Sequence, residues 1–138
     1  MKSIINKLDT YKLLIISISI IYIVFGVLKI SLESPIRNLV EASLPFMSND
    51  NFFRLFGIIE VILGVGLLFK KFREYFAIAI LLHLLGTMAG IVLSPQILFG
   101  NGLIPTLEGE FVAKNIILIS AIILIIQNEF RKSGQEVK

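Results

Sequence analysis

The chain has 138 residues, 56% hydrophobic and 17% charged, with a net charge of +3. Adding its ten glycines takes the apolar share to about 63%, against roughly 45–50% for a soluble domain. This composition, with a mean hydropathy of +0.89, excludes disorder and overloads so small a soluble body with apolar chain. The expected class is a polytopic membrane protein. The absence of cysteine excludes disulfides, iron–sulfur clusters and thiolate metal sites, and one histidine, His83, excludes a bis-histidine haem.

Four apolar runs follow in chain order, at 11–30, 52–69, 75–93 and 111–127. Their lengths of 20, 18, 19 and 17 residues fit the roughly 17–25 that a helix needs to cross a bilayer. The runs lack the alternation of barrel strands. The predicted fold is all-α: a single transmembrane domain, a four-helix bundle. The first run follows lysines, yet no alanine precedes Ala42 and no small-residue cleavage site follows, so it reads as a retained anchor.

The connections alternate in charge. Lys2 and Lys7, with Lys12 at the very start of the first run, mark the N-terminal tail; Lys70, Lys71 and Arg73 join the second run to the third; Arg131, Lys132 and Lys138 follow the fourth. The longer connections, 31–51 and 94–110, hold one cation, Arg37. The positive-inside rule then places both termini in the cytoplasm of a multi-pass protein of the cell (inner) membrane. In the first longer connection Ser34-Pro35 reads as N-cap and first helical residue, with Ile36, Leu39, Val40 and Leu44 on one face and Pro45 closing. In the second, Ser94-Pro95 opens, Ile97, Leu98 and Phe99 follow, Gly100-Asn101-Gly102 turns and Ile104-Pro105 ends. Both predict short outer amphipathic helices, and the repeated theme suggests a two-plus-two pseudo-repeat.

Ionisable groups inside the bilayer need a reason. Glu60 shares a helix face with Gly57 and Gly64; His83 shares one with Ala79, Gly86, Thr87 and Gly90. Small residues admit a neighbouring helix, so both side chains point into the bundle. Counting rise per residue from opposite ends puts them within about 6 Å in depth, close enough to meet directly or through a water. Ser19, Tyr22, Gly26 and Lys29 form a further polar and small stripe. The expected picture is a polar interior opening outward, with Lys29, Arg54, Glu110 and Lys114 as an outer charged ring and Glu60 and His83 deeper. Structural readings stand beside it: Lys29 and Arg54 can snorkel, Glu110–Lys114 can be a surface pair, Gly57, Gly64, Gly86 and Gly90 can serve helix packing, and Glu60 and His83 can be hydrogen-bonded core residues.

Other chemistries lack support. Gly64-x-Gly66 is mid-span, outside any phosphate-binding context. The only aspartates, Asp9 and Asp50, are expected near or outside the membrane surfaces, which leaves no hydrolytic triad. No metal site is expected, and the scattered basic residues give no nucleic-acid face.

Three segments resemble the DoxX-like family of small four-span membrane proteins. They are Phe25-Gly26-Val27-Leu28-Lys29 with Leu32-Glu33, Leu39-Val40, Ser43 and Pro45; Arg54-x-x-Gly57-x-x-Glu60-x-x-x-Gly64; and Pro105-Thr106-Leu107-Glu108-Gly109-Glu110-Phe111-Val112-Ala113-Lys114-Asn115. The resemblance implies a four-helix integral membrane protein tied to quinone-linked redox chemistry, without a catalytic motif to carry over. The expected function is therefore a non-catalytic accessory or subunit of such a system. It would contact a quinone near Glu60 and His83, with the lipid bilayer, redox-complex subunits or further copies of itself as partners. A proton- or solute-conducting bundle and a membrane scaffold without chemistry remain as alternatives.

Overall fold

The computed structural model describes residues 9–136 except 101 and 103, with the backbone alone at 90, 91 and 133–136. Lys2, Lys7, Asn101 and Lys138, and the packing expected at Gly90, lie outside the described residues or side chains. Among those described, every regular element is helical. In chain order these are α1 (Thr10–Ile30), α2 (Arg37–Ser43), a 3₁₀ turn (Pro45–Ser48), α3 (Asp50–Leu68), α4 (Arg73–Met88), α5 (Gly90–Leu93), α6 (Pro95–Phe99) and α7 (Leu107–Glu136).

Local chemistry sets the boundaries. The Asp9 carboxylate accepts from the Lys12 amide and opens α1; Asn49 does the same for α3 through the Asn51 amide. Past the end of α1, Leu32 adopts φ +64°, with Leu32 N–H donating to Lys29 O and Glu33 N–H to Leu28 O. This is a Schellman ending, with leucine where glycine is usual. Thr106 Oγ1 accepts from the Gly109 amide at the start of α7.

Helices α1, α3 and the stretch Leu107–Lys132 of α7 are long and apolar enough to cross a membrane. The run expected at 75–93 is corrected: its helix stops at Met88, turns at Ala89 and resumes as one turn over Gly90–Leu93. Gly86 and Gly90 are poor helix formers, and the Thr87 hydroxyl bonds the Leu84 carbonyl within the last turns of α4. The start expected at Ser34-Pro35 is also corrected. There the chain makes a turn, and α2 begins at Arg37 with no side-chain cap. Ser94 does precede α6, but its hydroxyl accepts from Ser43 instead of capping the helix (3.2 Å).

The four long helices form an antiparallel bundle in which α1 packs most closely on α3, α4 packs on α7, and α3 meets α4. The contact between α1 and α7 is slight. Glycine sets the α1–α3 approach. A Cβ on Gly26 would sit 2.5 Å from the Gly57 carbonyl, one on Gly57 2.6 Å from the Gly26 carbonyl, and one on Gly64 2.9 Å from the Ser19 carbonyl. The two backbones touch, and α1 and α3 are fixed in register.

The half of the bundle nearest the termini holds an apolar core. Ile15, Ile18, Leu63, Leu67, Ala77, Ile80, Ile122 and Ile125 are buried there, contributed by all four helices. A polar clamp closes this end. Glu129 accepts from Tyr11 (2.5 Å) and Lys132 (3.1 Å), and Arg73 lies 3.5 Å away while also donating to the carbonyls of Leu67 and Leu68 at the end of α3. Lys132 also lies over the Tyr11 ring. The cationic segments around Lys12, Arg73 and Lys132 thus share one end of the bundle. At the other end, Leu39 of α2, Leu98 of α6 and Val112 of α7 form a second, smaller core.

Candidate functional site

Between these two cores the bundle is hollow. A cavity of about 360 Å³ lies there, within the roughly 300–1,000 Å³ of small-molecule sites. Most of its wall is apolar or aromatic, with Phe25, Phe56 and Phe111 among the lining side chains. Its roof is α2: Ile36, Leu39, Val40 and Leu44, the apolar face legible in the sequence, all line the cavity.

The polar wall is built by α1, α3 and α4. Lys29 Nζ donates to Glu60 Oε2 at 2.6 Å, with the two side chains only 2% and 6% exposed. Glu60 Oε1 lies 3.2 Å from His83 Nε2, off the ring N–H direction, so this contact is electrostatic rather than a well-formed hydrogen bond. The Tyr22 hydroxyl is 3.0 Å from His83 Nδ1 and 3.4 Å from the Ile80 carbonyl. When it takes the shorter contact as donor, the ring proton rests on Nε2, the nitrogen nearer Glu60. The Phe56 ring lies 5.7 Å from Lys29 Nζ and 5.1 Å from the imidazole, closing an aromatic side of the group. One turn beyond His83 on α4, Thr87 Oγ1 accepts from Asn115 at 2.9 Å, and both residues line the cavity.

The glycine contacts explain why these groups meet. Gly26 against Gly57 and Gly64 against Ser19 fix α1 on α3, so Tyr22 and Lys29, seven residues apart and on one face, come to Glu60. Burying an ammonium and a carboxylate costs several kcal/mol of hydration per ion, and an apolar pair of similar volume would hold a core at least as well. Packing alone therefore gives no reason for the pair. Together the groups present a carboxylate, an ammonium, an imidazole and a phenol at one end of an apolar cavity. That set can donate hydrogen bonds to a carbonyl or hydroxyl oxygen and can hold or pass protons.

The sequence-predicted residues separate. Glu60 and His83 come together. Lys29 leaves the expected outer ring and joins them. Arg54, Glu110 and Lys114 are exposed and form no ion pair among the described residues. Gly57 and Gly64 sit in the α1–α3 contact. Gly86 does not pack against a helix: nothing lies within 4 Å of where its Cβ would be, and it lines the cavity. Phe56 and Asn115 were not singled out as site residues; an aromatic residue four before Glu60 was the available signal for Phe56. Among the described residues no group of three metal-ligating side chains gathers. A scan against protein-family models, a search of curated proteins and a search of solved structures each find no match to this chain.

Proposed function

We propose that this chain is a DoxX-like integral membrane protein that binds a quinone in the cavity and serves as an accessory subunit of a redox system. In this reading α1, α3, α4 with α5, and α7 all cross the cell membrane, and both termini are cytoplasmic. The observation that carries it is the Lys29–Glu60–His83–Tyr22 group facing a cavity of about 360 Å³ with aromatic walls.

The residues fit the ligand by donor chemistry. Lys29 and His83 N–H are donors of the kind a quinone carbonyl accepts, Phe56 and Phe25 offer flat apolar faces, and Thr87 and Asn115 supply further polar atoms. When bound, a quinone supplies the electron-accepting couple. The chain orients the head group, excludes water by the α2 roof and brings Glu60 and His83 beside it. Conduction fits less well, because the core on the terminal side of the cavity is built of apolar side chains, with the Ser19 hydroxyl as a buried polar group beside it.

The test is mass spectrometry of the organic extract from protein purified in mild detergent, wild type beside Glu60→Gln. The expected result is a near-stoichiometric quinone in the wild type, depleted at least tenfold in the variant. An extract free of quinone in the wild type, with added quinone failing to bind, ends this reading.

A further inference from the structure

The loosest edge of the bundle lies beside the proposed quinone site. Helices α1 and α7 are held at the terminal end by Tyr11 on Glu129 and near the cavity by the rings of Phe25 and Phe111, whose centroids are 4.9 Å apart. Along this seam runs a second hollow of about 220 Å³, lined by Ile21, Phe25, Phe111, Lys114, Asn115, Ile117 and Leu118. Five of these, all but Lys114 and Ile117, also line the main cavity. The Phe25–Phe111 pair is therefore a wall common to both spaces. Ile117 is 71% exposed on the outer side, on the surface that meets lipid if the bundle spans a bilayer.

Size supplies the second strand. The main cavity is near the lower limit for a small-molecule site and holds a ring-sized head group. Membrane quinones carry long isoprenoid tails, which such a volume cannot enclose. The tail must leave through the wall, and the polar wall and the α2 roof are the costlier routes for it. We propose that the α1–α7 seam is a lateral portal through which the tail of a membrane-dissolved quinone passes into lipid, with Phe25 and Phe111 as its gate. Lys114, at the rim of the groove, marks the side where the portal meets the polar boundary of the bilayer. This inference rests on the quinone reading of the cavity.

Lys114 and Ile117 border only the outer groove, so a tryptophan at 117 fills the portal and spares the cavity. Affinities of a decyl-tailed benzoquinone and of its tail-less head group are measured on purified wild type, Ile117→Trp and Glu60→Gln. The expected pattern is at least tenfold weaker binding of the tailed quinone to Ile117→Trp, with the head group bound within twofold of wild type. That unchanged head-group binding also reports a folded cavity. Glu60→Gln weakens both ligands. If Ile117→Trp leaves the tailed quinone unaffected while Glu60→Gln weakens both, the portal is overturned and the cavity reading stands. If it weakens both ligands alike, the outer groove is not a separate route and the portal is overturned. If the wild type binds neither, both readings fall.

Discussion

Two carboxylates in this bundle gather donors from several helices, and they differ in what surrounds them. Glu129 meets Tyr11, Arg73 and Lys132 at the end of the apolar core, and Arg73 doubles as a cap for α3. Glu60 meets Lys29 and His83 beside a cavity, and its pair is buried far from either end of α3. The first arrangement ties four helix ends together and can be read as structure. The second places costly groups where apolar side chains would pack as well, which is the signature of a site.

The largest effect that sharpens this contrast is at Lys29. Lys29→Met leaves Glu60 buried without its counter-charge and should cost about 3–5 kcal/mol of stability. The double variant Lys29→Met, Glu60→Met should recover most of that loss in thermal unfolding, yet stay unable to bind ligand. A double variant as unstable as the single one would make the pair structural. The recovered variant would separate the two roles because its core is intact and only its polar wall is gone.

The glycines give the next contrast. Gly26→Ala drives a methyl group toward the Gly57 carbonyl and should cost about 1–3 kcal/mol. Gly86→Ala meets open space and should gain about 0.5–1 kcal/mol from helix propensity. Chemical denaturation of both variants checks the opposite signs. At the terminal clamp, Glu129→Gln should cost about 1–2 kcal/mol through weakened charge-assisted bonds. It should leave ligand affinity untouched, and a loss of binding there would erase the distinction between the two carboxylates.

The smallest effect is local. The Lys12 amide, then its side chain, hold the Asp9 carboxyl below the ordinary aspartate value. A carboxylate with a depressed folded-state value contributes stability above its unfolded value and loses it as pH falls through the folded one. Protection of the first-turn amides of α1, relative to their intrinsic exchange rates, should therefore fall below about pH 4, with the rest of the helix unchanged. Protection that stays level into strong acid would show the cap to be idle.

Much of this was legible from residue spacing. Glu60 with Gly57 and Gly64 on one face pointed into the bundle, and the depth count brought His83 alongside. Lys29 was harder: a lysine one residue from a helix end reads as snorkelling, and only the backbone contact at Gly26 and Gly57 shows that its ammonium turns inward. The cavity was not legible, because emptiness depends on how four helices diverge. The apolar face of α2 was visible in the sequence, but a membrane surface and a cavity roof make the same demand on it. The break at Ala89 was hidden because hydropathy does not distinguish one long helix from a helix and a turn.

The touching backbones of α1 and α3 carry a mechanical consequence. Two helices in contact along their peptide groups cannot slide or splay without breaking many contacts at once, so they behave as a single stiff plate. The close packing of α4 on α7 makes a second plate, joined to the first by the short 69–72 turn and the Glu129 clamp at one end. Lateral compression from the surrounding medium would then be absorbed where the plates are least joined, along α1 and α7. The molecule would flex like a hinged book, its spine at α3 and α4 and its open edge at the Phe25–Phe111 pair.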